Sequence, residues 1–360
     1  MQADPIRILL IAPSQKILGG QSVQATRLLA ALRQEPSIRV DFQPIDPDWP
    51  RLLRPLQPIR YVRTLIALLV YCSYLALRIP RYQIVHVFSA GYSSYTLWTL
   101  PALFFSKLWR KRIILNYRDG QAEDHLRNWR SALPTIRRMD VIVSPTAYLV
   151  DLFKKFDLEV LWISNILDMQ PFIYRKRSRL RPIFLHNRIL EPLYNIPCSL
   201  RAFQIVQQRY PEATLTVAHS GPSRGELEQL AAELGLRNTT FIGRVPHLQI
   251  GKLYDSADIY FTSPDFDCMP GSILECFASG LPVVASNVGG IPYIATDQKT
   301  ALLFPRGDHE AMAKCALRLL EDAALVERLT AQAYAECTRY AADPVRKNWT
   351  ALYHKLCNRP

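Results

Sequence analysis

Two carboxylates with seven residues between them, Asp267 and Glu275, bracket the tripeptide Pro270-Gly271-Ser272. Proline, glycine and serine at a helix start leave backbone N–H groups unpaired at the positive end of the dipole, a natural phosphate seat. Ionised carboxylates only accept hydrogen bonds, so beside such a seat they suit a ligand rich in hydroxyl donors, as sugars are. The surrounding chain has the order this needs. A strand ends near Thr262, an acidic loop carries Asp265 and Asp267, a helix ends near Gly280, and a further strand begins at 282–285. Taken alone, these residues read equally well as a helix start beside an ordinary acidic loop.

The elements that must position these groups recur along the chain. Short apolar runs stand at 8–11, 84–88, 113–115, 141–143 and 160–163, and again at 183–185, 215–217, 259–261, 283–285 and 302–304. Runs of this length between amphipathic helical patterns predict parallel strands covered on both faces. Two successive sets predict two doubly wound α/β domains, Rossmann-like, whose strand carboxyl ends would face a shared cleft. The expected boundaries are an N-terminal domain over 1–170, a linker over 171–181 and a C-terminal domain over 182–342. A terminal helix is expected within 343–360, carrying Trp349, Leu352 and Tyr353 on one face. The stretch 168–181, DMQPFIYRKRSRLR, reads as linker because it is basic and holds Pro171 just before a fresh strand.

The 360 residues carry a net charge of +13, with 49% hydrophobic and 21% charged content, which describes a folded protein and not a disordered one. The excess is one-sided. Residues 1–180 hold 26 Lys/Arg against 13 Asp/Glu, and residues 181–360 hold 18 against 18. The first half is therefore expected to meet something anionic. Seven scattered cysteines without paired spacing argue against a disulfide framework or a structural zinc, and suit a reducing, cytoplasmic compartment. No signal peptide is read at the N-terminus. The longest apolar stretch, 65–77, is too short to span a bilayer. With the arginine-flanked run 51–81 and the similar 97–112, ending LWRKR, it predicts a surface contact with anionic membrane on the cytoplasmic face.

Over 262–292 the sequence resembles the donor-binding signature of glycosyltransferase family 4, the retaining GT-B enzymes. The family's Glu-x7-Glu stands here as Asp267-x7-Glu275, followed by GLPVVAS at 280–286 and GGIP at 289–292. TALLFPRGDHEAMA at 300–313 is similar to the family's next conserved stretch, and FIGRVP at 241–246 and SGPSRGELEQLAAELGL at 220–236 to its second-domain loops. The resemblance implies that Glu275 accepts hydrogen bonds from the donor ribose and that Asp267, one methylene shorter than Glu, holds the transferred sugar. It also implies that the Gly271-Ser272 amides meet the donor diphosphate. HNRILEPLYN resembles the family's Arg-Leu-x-x-x-Lys-Gly element, which makes Arg188 the group stabilising the departing diphosphate. Tyr194-Asn195 stands where Lys-Gly would be, so one expected cation is missing. The plainer reading of Arg188 is that it neutralises Glu191.

The same resemblance places Gly19-Gly20, before a helix over 22–32, as the first glycine loop near the acceptor and diphosphate. Arg118, in NYRDGQAEDHL, stands where the family has a catalytic His, with His125 seven residues on. Arg118 is either the missing cation or a plain surface charge. His86, alone in an apolar strand, reads as core, and His219 takes the place of a glycine in a tight turn. The expected activity is transfer of a sugar from a nucleotide-diphosphate donor to a glycan or lipid-linked acceptor hydroxyl, with retention of configuration, in envelope glycoconjugate or polysaccharide synthesis. No cofactor and no obligatory metal is expected: the DxD-like Asp265-Phe266-Asp267 falls inside the Asp-x7-Glu motif, and no metal-ligand spacing is visible. The alternatives are a non-catalytic GT-B homologue acting as a binding or partner subunit, motivated by Tyr194, Arg118 and Asp267, and a nucleotide-sugar epimerase. No nucleic-acid partner is expected, since no recognisable motif for one is present.

Overall fold

The computed structural model describes residues 4–17, 19–48 and 59–358. The chain divides into two units, one made of Met1–Ile166 with Ala342–Pro360, the other of Leu167–Ala341.

The first unit holds a six-stranded sheet built from β1 (Ile6–Ala12), β2 (Ile38–Pro44), β3 (Ile84–Ser89), β4 (Arg112–Tyr117), β5 (Val141–Ser144) and β6 (Leu161–Trp162). The order is β2-β1-β3-β4-β5-β6, with every neighbouring pair parallel. All six residues of β3 are buried, which is why this strand reads as an apolar run broken only by His86 before its closing Ser89. The helices used below are α1 (Gly20–Leu32), α2 (Arg60–Arg78), α3 (Leu100–Leu108) and α4 (Ala122–Asn128). Ala25, Leu28, Ala31 and Leu32 give α1 an inward stripe at helical spacing. The terminal helix Ala342–Cys357 packs on α1 and β1 and buries Val345, Trp349, Leu352, Tyr353 and Leu356.

The second unit repeats the plan with β7 (Ile183–Asn187), β8 (Thr214–Ala218), β9 (Thr239–Gly243), β10 (Ile259–Thr262), β11 (Val283–Ser286) and β12 (Leu302–Phe304). Its order is β12-β11-β10-β7-β8-β9, again all parallel. The chain runs outward from β7 through β8 to β9, then returns to β10 on the other side of β7. The order therefore reverses between β7 and β10, and ligands of such sheets bind outside the strand ends at that switch point. Two helices matter for the site, α5 (Ile196–Arg209) and α6 (Gly271–Ala278).

Four expectations need correction. The strands β2 and β9 were not anticipated, because both are sheet edges: β2 mixes buried with more exposed positions, and β9 alternates half-buried with exposed ones. The run 160–163 shrinks to Leu161–Trp162, an edge strand exposed at both residues. The basic stretch 171–181 is no free linker but part of the second unit. Arg175, Arg177 and Arg181 converge on the buried Asp258 carboxylate at 2.7, 3.8 and 2.9 Å. Finally, the apolar stretch judged too short to span belongs to a longer helical segment, Val62–Arg81, long and apolar enough to cross a membrane by length and composition alone. Residues 51–58 of the expected surface run lie outside the described residues.

Candidate functional site

The site is built at the switch point of the second sheet. Arg188 is the first residue beyond β7, and Asp267 sits in the loop that leaves the neighbouring strand β10. Their side chains form an ion pair, exposed only 14% and 12%. Arg188 Nη1 also donates to Ser272 Oγ at 3.3 Å, and its guanidinium lies over the Tyr194 ring at 4.4 Å from the centroid. Burial works against the charge of Arg188, but the Asp267 carboxylate outweighs it, so its pKa stands above the ordinary arginine value. The carboxylate Arg188 meets is Asp267's and not that of Glu191. Tyr194 supplies no charge; it is the surface on which the guanidinium rests.

Ser272 is the second residue of α6, whose N-terminus is left open. Pro270 caps it without a side-chain hydrogen bond, and the first turn has no acidic residue. A Cβ added to Gly271 would meet nothing within 4 Å, so there is open space beside the first residue of a helix start that suits an anion. The far end of α6 is closed by Gly280, at φ +63°. Gly280 N donates to Phe277 O at 3.1 Å and Leu281 N to Cys276 O at 2.9 Å, the pairing of a Schellman motif.

Glu275, in the second turn of α6, accepts a hydrogen bond from the hydroxyl of the fully buried Tyr254 at 2.8 Å. Asn187, the last residue of β7, donates to the same hydroxyl at 3.2 Å, and its carbonyl accepts from Tyr260 Oη at 3.2 Å. Burial first, and then the Glu275 charge, hold the Tyr254 phenol well above its usual pKa, so it stays a donor to the carboxylate. Sequence reasoning missed Tyr254, Tyr260 and Asn187. The available signal was a pair of tyrosines at buried helix and strand positions, where each hydroxyl must find a partner.

The loop carrying Asp267 is held by the glycine pair of GGIP. Gly290 N donates to Asp267 O at 2.8 Å. A Cβ on Gly290 would lie 1.8 Å from Cys268 O, and one on Gly289, at φ +52°, 2.4 Å from Asp267 O. Only glycine permits that approach. Asp265 turns out to be engaged elsewhere, by Arg306 at 3.0 Å and Asn195 at 3.1 Å. Asn195 stands where the family element has glycine and adopts the left-handed conformation, φ +41°, which asparagine tolerates better than most residues. His219 likewise sits at φ +86°, with its N–H on Gly243 O at 2.6 Å.

Gly19, Gly20 and Arg118 belong to the first unit. Gly19 and Gly20 open α1, and a Cβ on either would meet nothing within 4 Å. Arg118 follows β4 and is no loose surface charge. It pairs with Asn165 Oδ1, donates to Asn116 Oδ1 at 3.2 Å and lies 4.5 Å over the Phe88 ring. His86 is a core residue with both ring nitrogens matched, Nδ1 by Tyr353 Oη at 2.8 Å and Nε2 by the Asn116 amide at 3.1 Å. Burial, with Arg118 nearby, brings its pKa down to about 3. His125 is buried in α4 among Tyr92, Tyr95, Tyr117 and Trp129. Of the nine residues singled out, the structure thus joins Arg188, Asp267, Tyr194 and Ser272 in direct contact. It sets Gly271 and Glu275 on the same helix, and leaves Gly19, Gly20 and Arg118 on the other unit.

Residues 174–336 match the family model of the Glycosyl transferases group 1. The sulfoquinovosyl transferase SQD2 of Arabidopsis thaliana is 30% identical over 208 residues, 55% of this chain and 39% of that protein. An exopolysaccharide phosphotransferase of Streptomyces coelicolor is 30% identical over 190 residues, 52% of this chain and 20% of that protein. The chain thus spans well under half the length of these curated relatives. Among solved structures, Anabaena HepE in complex with UDP-glucose matches with a TM-score of 0.71 at 14% identity, over 97% of this chain and 100% of that one. The fold is GT-B. In this GT-B chain the match to the group 1 model falls within the second unit, and it contains Arg188, Tyr194, Asp267, Ser272 and Glu275.

Proposed function

We propose that the chain is a retaining glycosyltransferase that takes a sugar from a nucleotide-diphosphate donor, a UDP-sugar first of all. The observation that carries this is the contact of Arg188 with both Asp267 and Ser272 at the open N-terminus of α6. The donor diphosphate would lie on the Gly271 and Ser272 amides, with Arg188 turning from Asp267 towards it as negative charge builds on the leaving group. Asp267, so released, is free to accept from hydroxyls of the transferred sugar. Glu275, steadied by Tyr254, takes the ribose hydroxyls. The C1–oxygen bond to the diphosphate breaks, the acceptor oxygen bonds to C1 on the same face, and the acceptor proton leaves with the diphosphate.

HepE in its UDP-glucose complex supports a UDP-sugar donor. We read the diphosphate charge as met by Arg188 and the helix amides, without an obligatory metal. The acceptor is placed in envelope glycoconjugate or polysaccharide synthesis. Seven cysteines, none in a disulfide, support a cytoplasmic setting. The test is turnover with a panel of UDP-, GDP- and ADP-sugars and a membrane extract as acceptor, with the anomeric configuration of the product read by NMR. One UDP-sugar consumed, an axial or equatorial linkage matching the donor, and loss of turnover in Glu275→Ala are expected. An inverted product would overturn retention, and equal turnover in Glu275→Ala would overturn the site.

A further inference from the structure

The helix α2 is apolar on its outward side as well as on its inward one. Tyr71 and Leu75 are fully buried, Tyr71 with its hydroxyl on Trp98 O at 2.8 Å. At the inner end Arg78 donates to Phe42 O and Gln43 Oε1 at 3.1 and 2.7 Å. Its water-facing side should then be polar. Instead it carries Leu65, Leu69 and Leu77, exposed 59%, 59% and 68%. The neighbouring α3 packs against α2 and leaves Phe104 and Leu108 about as exposed, followed by an exposed Trp109.

The segment that carries this face has charge of one sign in its sequence, with Asp140 reaching Lys107 and Arg112 from outside it. Between Asp48 and Asp119 the sequence contains no acidic residue but eleven Lys/Arg. Arg63 lies on α2, Arg81 just beyond it, and Arg110 and Lys111 directly after Trp109. Apolar side chains in a basic rim are the pattern of a surface that enters the headgroup region of an anionic bilayer. Crossing is a poorer reading of the same helix, even though Val62–Arg81 has the length for it. The inward side of α2 is a packed part of the α/β layer that connects β2 to β3, and removing it would uncover Tyr71, Leu75 and Ile79.

We propose that the exposed face of α2 and α3 docks the protein on anionic membrane, with Leu65, Leu69, Leu77, Phe104, Leu108 and Trp109 inserted and the arginines and lysine on lipid phosphate. This docking does not depend on the transferase reading. The test is flotation of the full chain with vesicles of phosphatidylcholine and phosphatidylglycerol in equal parts, against vesicles of phosphatidylcholine alone. The wild type floats with the anionic vesicles and largely stays behind with the neutral ones. In Leu69→Ser/Leu77→Ser/Phe104→Ser the bound fraction drops about tenfold or more, since the lost apolar insertion is what holds the face down. In Arg63→Gln/Arg110→Gln/Lys111→Gln it drops on the order of tenfold at low salt and less at high salt. Circular dichroism of both variants matches the wild type, because only exposed positions change. No flotation of the wild type, or undiminished flotation of the serine variant, would overturn the proposal. So would a wild-type dimer in sedimentation that the serine variant abolishes, without vesicle binding, which would make the face a self-association surface.

Discussion

The two units share a six-stranded parallel sheet but use charge in opposite ways. The first, Met1–Ile166 with Ala342–Pro360, carries 26 Lys/Arg against 13 Asp/Glu; the second, Leu167–Ala341, carries 18 against 18. In the second, charges meet in defined pairs at defined strand ends, as Arg188 meets Asp267 and three arginines meet Asp258. In the first, eleven of the basic residues fall between Asp48 and Asp119, the segment that carries the exposed apolar helix faces. A balanced unit of this kind recognises by local geometry, and a one-sided one by its field. On the two readings proposed above, the same architecture serves a pocket in one half and a surface in the other.

The contrast can be broken at its buried supports, where the effects are largest. Asp258→Ala should destabilise the second unit by about 3–5 kcal/mol, because Arg177, only 2% exposed, loses its buried carboxylate and keeps only the exposed Asp255 at 4.0 Å. Trp349→Ala should cost the first unit about 3–5 kcal/mol through the cavity left under the terminal helix. Chemical denaturation with a probe in each unit would read the two separately. If both variants weakened both units equally, the division into two units of different character would fail.

At the site itself the expected effect is catalytic. Arg188→Ala should lower kcat by about 10²–10³ with folding preserved, and a loss below about threefold would return Arg188 to a structural role. Acid should affect both units, and the first more, since burial lowers the pKa of His125 there as well. Each unit has one histidine brought down to about 3 by burial, His86 in the first and His186 in the second. Each stays neutral when folded but takes a proton when unfolded. Their contribution is therefore fully present above about pH 6.5 and is lost as pH falls from there towards 3, at up to about 1.4 kcal/mol per pH unit for each. His86→Phe should flatten that slope in the first unit only, as thermal melts across this range would show. The smallest change is Tyr254→Phe. It removes one hydrogen bond to Glu275, about 1 kcal/mol, and should weaken donor binding several-fold while leaving kcat nearly intact. An unchanged Kd would mean that Tyr254 does not position Glu275.

What could be read in the sequence follows the same division. Strands in the middle of each sheet are covered on both faces and appear as apolar runs; the edges β2 and β9 mix more and less exposed positions and passed unnoticed. Asp267 and Glu275 were legible because a phosphate seat needs its glycine, serine and carboxylates close together in one stretch, and Arg188 through the resemblance of HNRILEPLYN to the family's Arg-Leu-x-x-x-Lys-Gly element. Their supports were not. Tyr254 reaches Glu275 from 21 residues away, and Arg177 reaches Asp258 from a stretch whose basic character suggested a linker. Long-range pairs leave no periodic trace in a sequence. Two departures from the family pattern became clear only in three dimensions, with Tyr194 supporting the guanidinium and Asn195 taking the left-handed turn of the missing glycine.

The central claim is a nucleotide-diphosphate site at the switch point of the second sheet. Calorimetric titration of the wild type, Arg188→Ala and Glu275→Ala with UDP tests it most directly. Saturable binding by the wild type, weakened about tenfold or more in each variant, is the predicted result. Binding by the wild type that neither variant disturbs, or no binding of UDP at any concentration tried, would contradict it.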